Sequence, residues 1–233
     1  MASAKKTIKV IAIIALIVVP VTLIYFLATA KWVHEPLPYL GNSVKDASGK
    51  EIHHSVEDIH LWNQFGKKVT LDSLKNKIIV ANIFFASCPD VCPEMNKQVQ
   101  VIAEKYSEFP NVAFLSVSID PERDSVKALY AYSRKYNPKI KNWWFCTGNK
   151  SEIYDWVLND ILLANELRGE NFIHDDKVVI IDKQRHIRSI LATRPPEDTP
   201  DNRRNSVKLG LIKNINDDID NLLYEYRQQE LDK

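Results

Sequence analysis

Glycine is scarce in this chain, six among 233 residues, and no Gly-rich loop is present to cradle a phosphate. Neither sign of charge is in excess: 31 Lys plus Arg stand against 30 Asp plus Glu, a formal net charge of +1. With no stripe of arginines interleaved with aromatics, the chain lacks the electrostatic footprint of a nucleic-acid binder. Cysteine is rarer still, and its count of three is odd, so one thiol has no pairing partner within the chain. Internal repeats and low-complexity runs are missing too. What remains is an ordinary globular composition, long enough for one domain and a tail.

Charge is unevenly placed at the start, where Lys5, Lys6 and Lys9 precede an apolar run from Val10 to Ala28 broken only by Pro20 and Thr22. At about 1.5 Å per residue this run approaches the roughly 30 Å of a bilayer core and exceeds the apolar region of most cleaved signals. It has no amphipathic face, which argues against a buried core helix. The lysines predict that the short N-terminal side stays in the cytoplasm and that everything after Lys31 crosses the membrane. Ala28-Thr29-Ala30 fits a signal-peptidase site, so a removed signal is the alternative to a retained anchor. Nothing here is an Arg-rich transit peptide. The expected location is therefore a bacterial cytoplasmic membrane, spanned once, with the domain in the periplasm. The expected organisation is residues 1–30 as lysines and anchor, 31–50 as a spacer rich in proline and glycine, and 51–233 as the folded domain.

Within that domain, Ile59 to Thr70 alternates around Gly66 as a hairpin would. Ile78-Ile79-Val80-Ala81-Asn82-Ile83-Phe84-Phe85 reads as a buried strand, as does Val112 to Ile119. Met95, Val99, Ile102 and Tyr106 recur at helical spacing between them. Val126, Leu129, Tyr130 and Tyr136 mark the next helix, and Ile153, Val157 and Ile161 another. Val178 to Asp182 turns at Lys183-Gln184-Arg185 and returns as Ile187 to Leu191, again a hairpin. Thr193 to Asn205, with three prolines and many charges, reads as a surface loop. A last helix follows with Val207, Leu211, Ile215, Ile219, Leu222 and Tyr226 on one side. This order predicts an α/β domain of thioredoxin-like type, a mixed sheet flanked by helices and preceded by one N-terminal transmembrane helix.

The chemistry concentrates in Cys88-Pro89-Asp90-Val91-Cys92-Pro93, where the first buried strand gives way to a helix. Unpaired N–H groups and the dipole at a helix start are expected to favour thiolate over thiol. Cysteines four apart can bring both sulfurs to one point, to hold a soft metal ion or to close a disulfide. Export into an oxidising compartment permits either. Cys146, among bulky apolar residues, reads as a small hydrophobe in a strand. His174 lies just before the Val178 strand, and loops preceding such a hairpin approach the start of the thiol helix, so it is a candidate third ligand. Two thiolates and an imidazole suit copper, Cu(I) or Cu(II), with zinc as the competitor by ligand type. His53 and His54 read as solvated spacer residues, and His60 as lying on a polar strand face.

Three motifs make a resemblance specific. Phe84 to Pro93, Ser118-Ile119-Asp120-Pro121-Glu122-Arg123-Asp124 and Trp144-Phe145-Cys146-Thr147-Gly148 are similar to segments of the Sco/SenC family of membrane-anchored, thioredoxin-fold copper proteins, and His174 falls where that family's metal-binding histidine is expected. The resemblance covers about two thirds of the chain. It implies a copper-binding metallochaperone, more a carrier than an enzyme. Its role would be delivery of copper to the dinuclear centre of subunit II of a cytochrome c (haem-copper) oxidase during assembly. It further implies Cys88, Cys92 and His174 as ligands, with Asp90 and Asp120 either supporting them or merely capping a helix start and a strand end. Departures are Asp175 and Asp176 after the histidine, where serine is usual, Cys146 in place of a plain hydrophobe, and the long 193–205 segment. The alternative is a membrane-anchored thiol-disulfide oxidoreductase in which Cys88 and Cys92 are the catalytic pair. Only the metal reading requires His174.

Overall fold

A computed structural model describes residues 14–25, 36–89, 91–136, 139–163, 176–193 and 201–231, with side chains of the last segment from residue 208 onward. The chain forms two compact units, Met1–Glu35 and Pro36–Lys233. In the first, residues 14–25 are one helix, α1, exposed along its length. Twelve residues at 1.5 Å each reach about 18 Å, and among the described residues no helix is long and apolar enough to cross a membrane. Both ends of the expected span, at Val10 and Ala28, lie outside the described residues.

The second unit is built on a seven-stranded sheet. Its strands are β3 (Leu61–Asn63), β4 (Lys68–Val69), β5 (Ile78–Phe84), β6 (Val112–Ser118), β7 (Trp143–Gly148), β8 (Lys177–Ile181) and β9 (Ile187–Ala192), in the order β4-β3-β7-β6-β5-β8-β9. β5, β6 and β7 run parallel, and β3, β4, β8 and β9 join antiparallel. Every residue of β5 and β6 is buried. Because successive side chains point to opposite faces, the sheet centre is covered on both sides. The helices are α2 (Val91–Lys105), α3 (Val126–Ser133), α4 (Lys150–Asp155, continued by a π turn over Trp156–Asp160) and α5 (Asp201–Leu231). The architecture is the mixed, helix-flanked α/β sheet expected.

Local chemistry explains most boundaries. Met95, Val99, Ile102 and Tyr106 are all fully buried, the inward stripe of α2. The β3–β4 turn closes at Gly66, whose φ of 74° suits glycine, while Asn63 Oδ1 accepts from the N–H groups of Phe65 and Lys67. Ser125 caps α3 and Asn149 caps α4, each accepting backbone N–H groups of the first turn.

Four expectations change. The stretch read as spacer carries β1 (Ser43–Lys45), paired with β2 (Glu51–His53). Buried Arg188 also grips this stretch through the carbonyl of Leu37, while pairing with Asp182 and Glu225. His53 and His54 are half-buried rather than freely solvated: the His53 ring stacks on Tyr39 at 4.0 Å, and His54 Nε2 meets the Asp160 carbonyl at 2.7 Å. Of the residues taken to mark α3, Tyr136 lies beyond its end at Ser133 and Tyr130 is exposed; the helix buries Leu129 and Tyr132. The surface loop from Thr193 ends earlier than expected, since Asp201 to Asn205 already belong to α5.

Candidate thiol and metal centre

β5 delivers the chain to the site. Its last residue, Phe84, accepts from Ile119 N–H at 2.9 Å, so the ends of β5 and β6 are held together. The chain then turns, with Cys88 N–H donating to the Phe85 carbonyl at 3.1 Å, and α2 begins at Val91. Pro93 falls in the first helical turn, where its missing N–H leaves no helical bond unmade.

Cys88 and Cys92 are brought together, 6% and 3% exposed, both as free thiols. The N–H of Cys92 donates to Cys88 Sγ at 3.3 Å, so one of the unpaired donors at the helix start is spent on the sulfur of the other cysteine. Cys92 behaves opposite to the expectation that the helix start favours a thiolate. Burial and its hydrogen bond with Cys88 push its pKa up to about 12. Desolvation of a charged sulfur outweighs the dipole at this depth. A metal ion or a disulfide bond removes that penalty, since each replaces the proton on a sulfur that water does not reach.

Asp124, which sequence reading passed over, positions the loop. Its carboxylate is buried, accepts from Ala86 N–H at 2.9 Å two residues before Cys88, and accepts from the Ser118 hydroxyl at 2.5 Å. The available signal was its place at the end of the Ser118 to Asp124 motif. Asp120 is also buried, but its carboxylate pairs with Arg123, and its carbonyl accepts from the N–H groups of Arg123 and Asp124.

Behind the thiols runs a buried polar chain unseen in the sequence. Trp143 Nε1 donates to Ser116 Oγ, which donates to Asn82 Oδ1; Asn82 Nδ2 donates to Asn96 Oδ1, and Asn96 Nδ2 to the Tyr132 hydroxyl, which also accepts from Tyr136. Burial, chiefly, raises the pKa of both tyrosines, and nearby Cys92 adds to the shift, so both phenols stay protonated beside the sulfurs.

Cys146 is fully buried in β7, opposite Val117 of β6 and Asn63 of β3, with burial alone raising its pKa. His174 and Asp90 lie outside the described residues. Among the described residues no three His, Cys, Asp or Glu side chains gather as a metal cluster. The two sulfurs fit a soft metal by donor type, and a third donor is to be sought beyond them.

Comparison with known proteins adds four findings. The SCO1/SenC family model matches residues 48–206, a span that includes Cys88, Cys92 and His174. The SCO1 protein homolog of Bacillus subtilis is 31% identical over 145 residues, covering 60% of this chain and 73% of its own. Among solved structures, BsSco, described with a disulfide switch and as a member of the Sco family of cytochrome c oxidase assembly proteins, is 27% identical at a TM-score of 0.54. The alignment covers 73% of this chain and 98% of that one. Arabidopsis thaliana ScoI, solved with copper bound, shares the fold at a TM-score of 0.50 and 21% identity, covering 69% of this chain and 97% of that one.

Proposed function

Because the chain belongs to the SCO1/SenC family, we propose that it is a copper-binding metallochaperone, anchored in a membrane by its N-terminal apolar segment, that carries copper as cargo to an oxidase under assembly. The observation that carries this reading is the pair of reduced, buried sulfurs joined by the Cys92 N–H to Cys88 Sγ contact. Two sulfurs held this way are a soft chelate whose protons leave when the metal enters. His174 completes the ligand set, and Asp124 holds the approach to Cys88 rigid through Ala86. The acceptor is the dinuclear copper centre of subunit II of a haem-copper oxidase, and the domain works on the periplasmic side of a bacterial cytoplasmic membrane. Asp90 supports the ligands from between the cysteines.

The experiment is to load the reduced full chain with copper, measure its stoichiometry, and compare the sulfur-to-copper charge-transfer spectrum with that of His174→Ala. One copper per chain and a shifted, weakened spectrum in the variant support the reading. An unchanged spectrum and affinity remove His174 from the ligand set.

A second reading is favoured by one observation, the disulfide switch described for BsSco, 27% identical to this chain. In it Cys88 and Cys92 exchange with cysteines of an exported protein and need no histidine. Thiol-disulfide exchange that survives His174→Ala unchanged, in a chain that holds no copper, would establish it.

A further inference from the structure

The chain is balanced in charge as a whole, yet one side of the domain is not. Neither residues 59–71, which make the β3–β4 hairpin, nor residues 125–151, which carry α3 and β7, contain an Asp or a Glu. The two stretches expose six cations, Lys67, Lys68, Lys127, Arg134, Lys135 and Lys141. None of the six forms an ion pair among the described residues. Three of them lie over rings instead: Lys68 over Trp62 at 5.0 Å, Arg134 over Tyr130 at 5.9 Å and Lys135 over Tyr132 at 4.9 Å.

Between the hairpin and α3 lies a cavity of about 190 Å³. That is below the roughly 300–1,000 Å³ of small-molecule sites and suits a single side chain. Tyr136, Trp143 and Phe145 form its buried floor, and Phe65 and Tyr130, 62% and 44% exposed, stand at its mouth with their rings edge to face at 6.3 Å. The polar groups of the floor are already spent. Gln64 Nε2 donates to the Trp143 carbonyl and its Oε1 accepts from Phe145 N–H, while Trp143 Nε1 donates to Ser116 and the Tyr136 hydroxyl to Tyr132. What the cavity offers an occupant is therefore apolar, with Arg134 on its rim. Trp62 pairs across the strands with Thr147 and with Lys68, and Thr147 shares one face of β7 with Phe145 and Trp143, so Trp62 and Lys68 lie on the cavity's side of the sheet. Along α3 and its C-cap, Lys127, Tyr130 and Arg134 fall at i, i+3 and i+7, again on one side.

We propose that this face docks an acidic segment of a partner protein, with one bulky apolar side chain filling the cavity behind Phe65 and Tyr130 and carboxylates on either side of it meeting Arg134 and Lys68. Charge chooses the occupant: six cations without a carboxylate repel the same face of a second copy and are matched by Asp and Glu. Exposed Trp62, Tyr130 and Arg134 are also the residue types that dominate binding energy at protein interfaces. A nucleic-acid strand needs open ring faces for successive bases, whereas Phe65 and Tyr130 are turned against each other. The inference stands apart from the metal site.

The test titrates the full chain, in neutral phosphatidylcholine nanodiscs, into a short, capped fluorescent peptide with one central phenylalanine between runs of aspartate and glutamate. Saturable binding is expected, weakened about tenfold or more when serine replaces the phenylalanine, and by a similar factor in Phe65→Ser. Arg134→Glu should weaken binding at low salt and hardly at all at high salt. Phe65 and Arg134 are exposed, so the melting temperature should not move in either variant, which separates lost binding from lost folding. Copper stoichiometry and affinity should be unchanged in both, so failure of this face and failure of the metal site are told apart. The proposal is overturned if the serine peptide binds as well as the phenylalanine one, which would leave charge attraction without a site, or if Phe65→Ser binds as the parent does. It is also overturned if oligothymidylate of equal charge binds more tightly than the peptide, or if Phe65→Ser turns a dimer into a monomer, which would make a second copy the occupant.

Discussion

Cys92 and Cys146 are both thiols shielded from solvent, 3% and 0% exposed, one in the first turn of α2 and the other within β7. Burial raises the pKa of both. They differ in their neighbours. Cys92 has a second sulfur in contact through its own N–H, a loop pinned by Asp124, and prolines on the surface side. Cys146 is closed in by strands on either side, and desolvation is the only influence on its thiol. Burial by itself therefore does not mark a functional cysteine, because it makes any thiol inert. What marks one is burial together with a partner that repays the lost proton.

The sharpest way to break this comparison is to remove each thiol in turn. Cys88→Ser and Cys92→Ser are each expected to lower copper affinity by more than about 100-fold, beyond the range for residues that only support a ligand, as measured by competition with a chelator of known affinity. Next in size is the loop anchor. Asp124→Ala leaves Ala86 N–H and the Ser118 hydroxyl unsatisfied and should cost about 3 kcal/mol, a fall in melting temperature of roughly 6 to 12 °C. Copper should then bind more weakly even where the domain is folded, whereas Asp124→Asn, which keeps an acceptor, should recover part of both.

Alkaline pH probes the shared property. The fold favours the neutral form of Cys92, whose pKa rises from 9.0 to about 12, so below pH 9 its stabilising contribution is complete. Between pH 9 and 12 the unfolded chain loses this proton while the folded one keeps it, and stability falls. Urea midpoints of the metal-free protein should decline over that window, and closing Cys88 and Cys92 into a disulfide should make the decline shallower by the share of Cys92, leaving the share of buried Cys146 and of the buried tyrosines. The smallest effect is expected at the other thiol: Cys146→Ala should cost about 1 kcal/mol for the small cavity and leave copper stoichiometry and affinity unchanged. A Cys146 variant that loses copper would end the distinction between the two cysteines.

Much of this was legible beforehand, for a definite reason. β5, β6 and the β8–β9 hairpin are runs of branched side chains, and the inward stripes of α2 and α5 repeat at helical spacing, so short windows of sequence were enough. Cys88 and Cys92 were found in the same way, through four-residue spacing at a strand-to-helix junction. The failures share a cause. Asn96, Gln98 and Asp124 are polar residues that local reading passes over, yet all are buried, and for Asn82, inside a strand read as buried, local reading names no partner. Tyr130 lies within the helical pattern but is exposed, since α3 turns Leu129 and Tyr132 inward.

The order of strands and helices, the position of the thiols at the end of β5 and the charge balance follow from the chain's own periodicity and composition, which act within a few residues. Which polar groups are buried, which carboxylate braces the thiol loop and why Cys92 holds its proton depend on groups supplied by distant segments: Asp124 reaches Ala86 across 38 positions and Asn96 reaches Tyr132 across 36. A buried polar atom is tolerated only where such a partner arrives, and packing, not local sequence, brings the partner there.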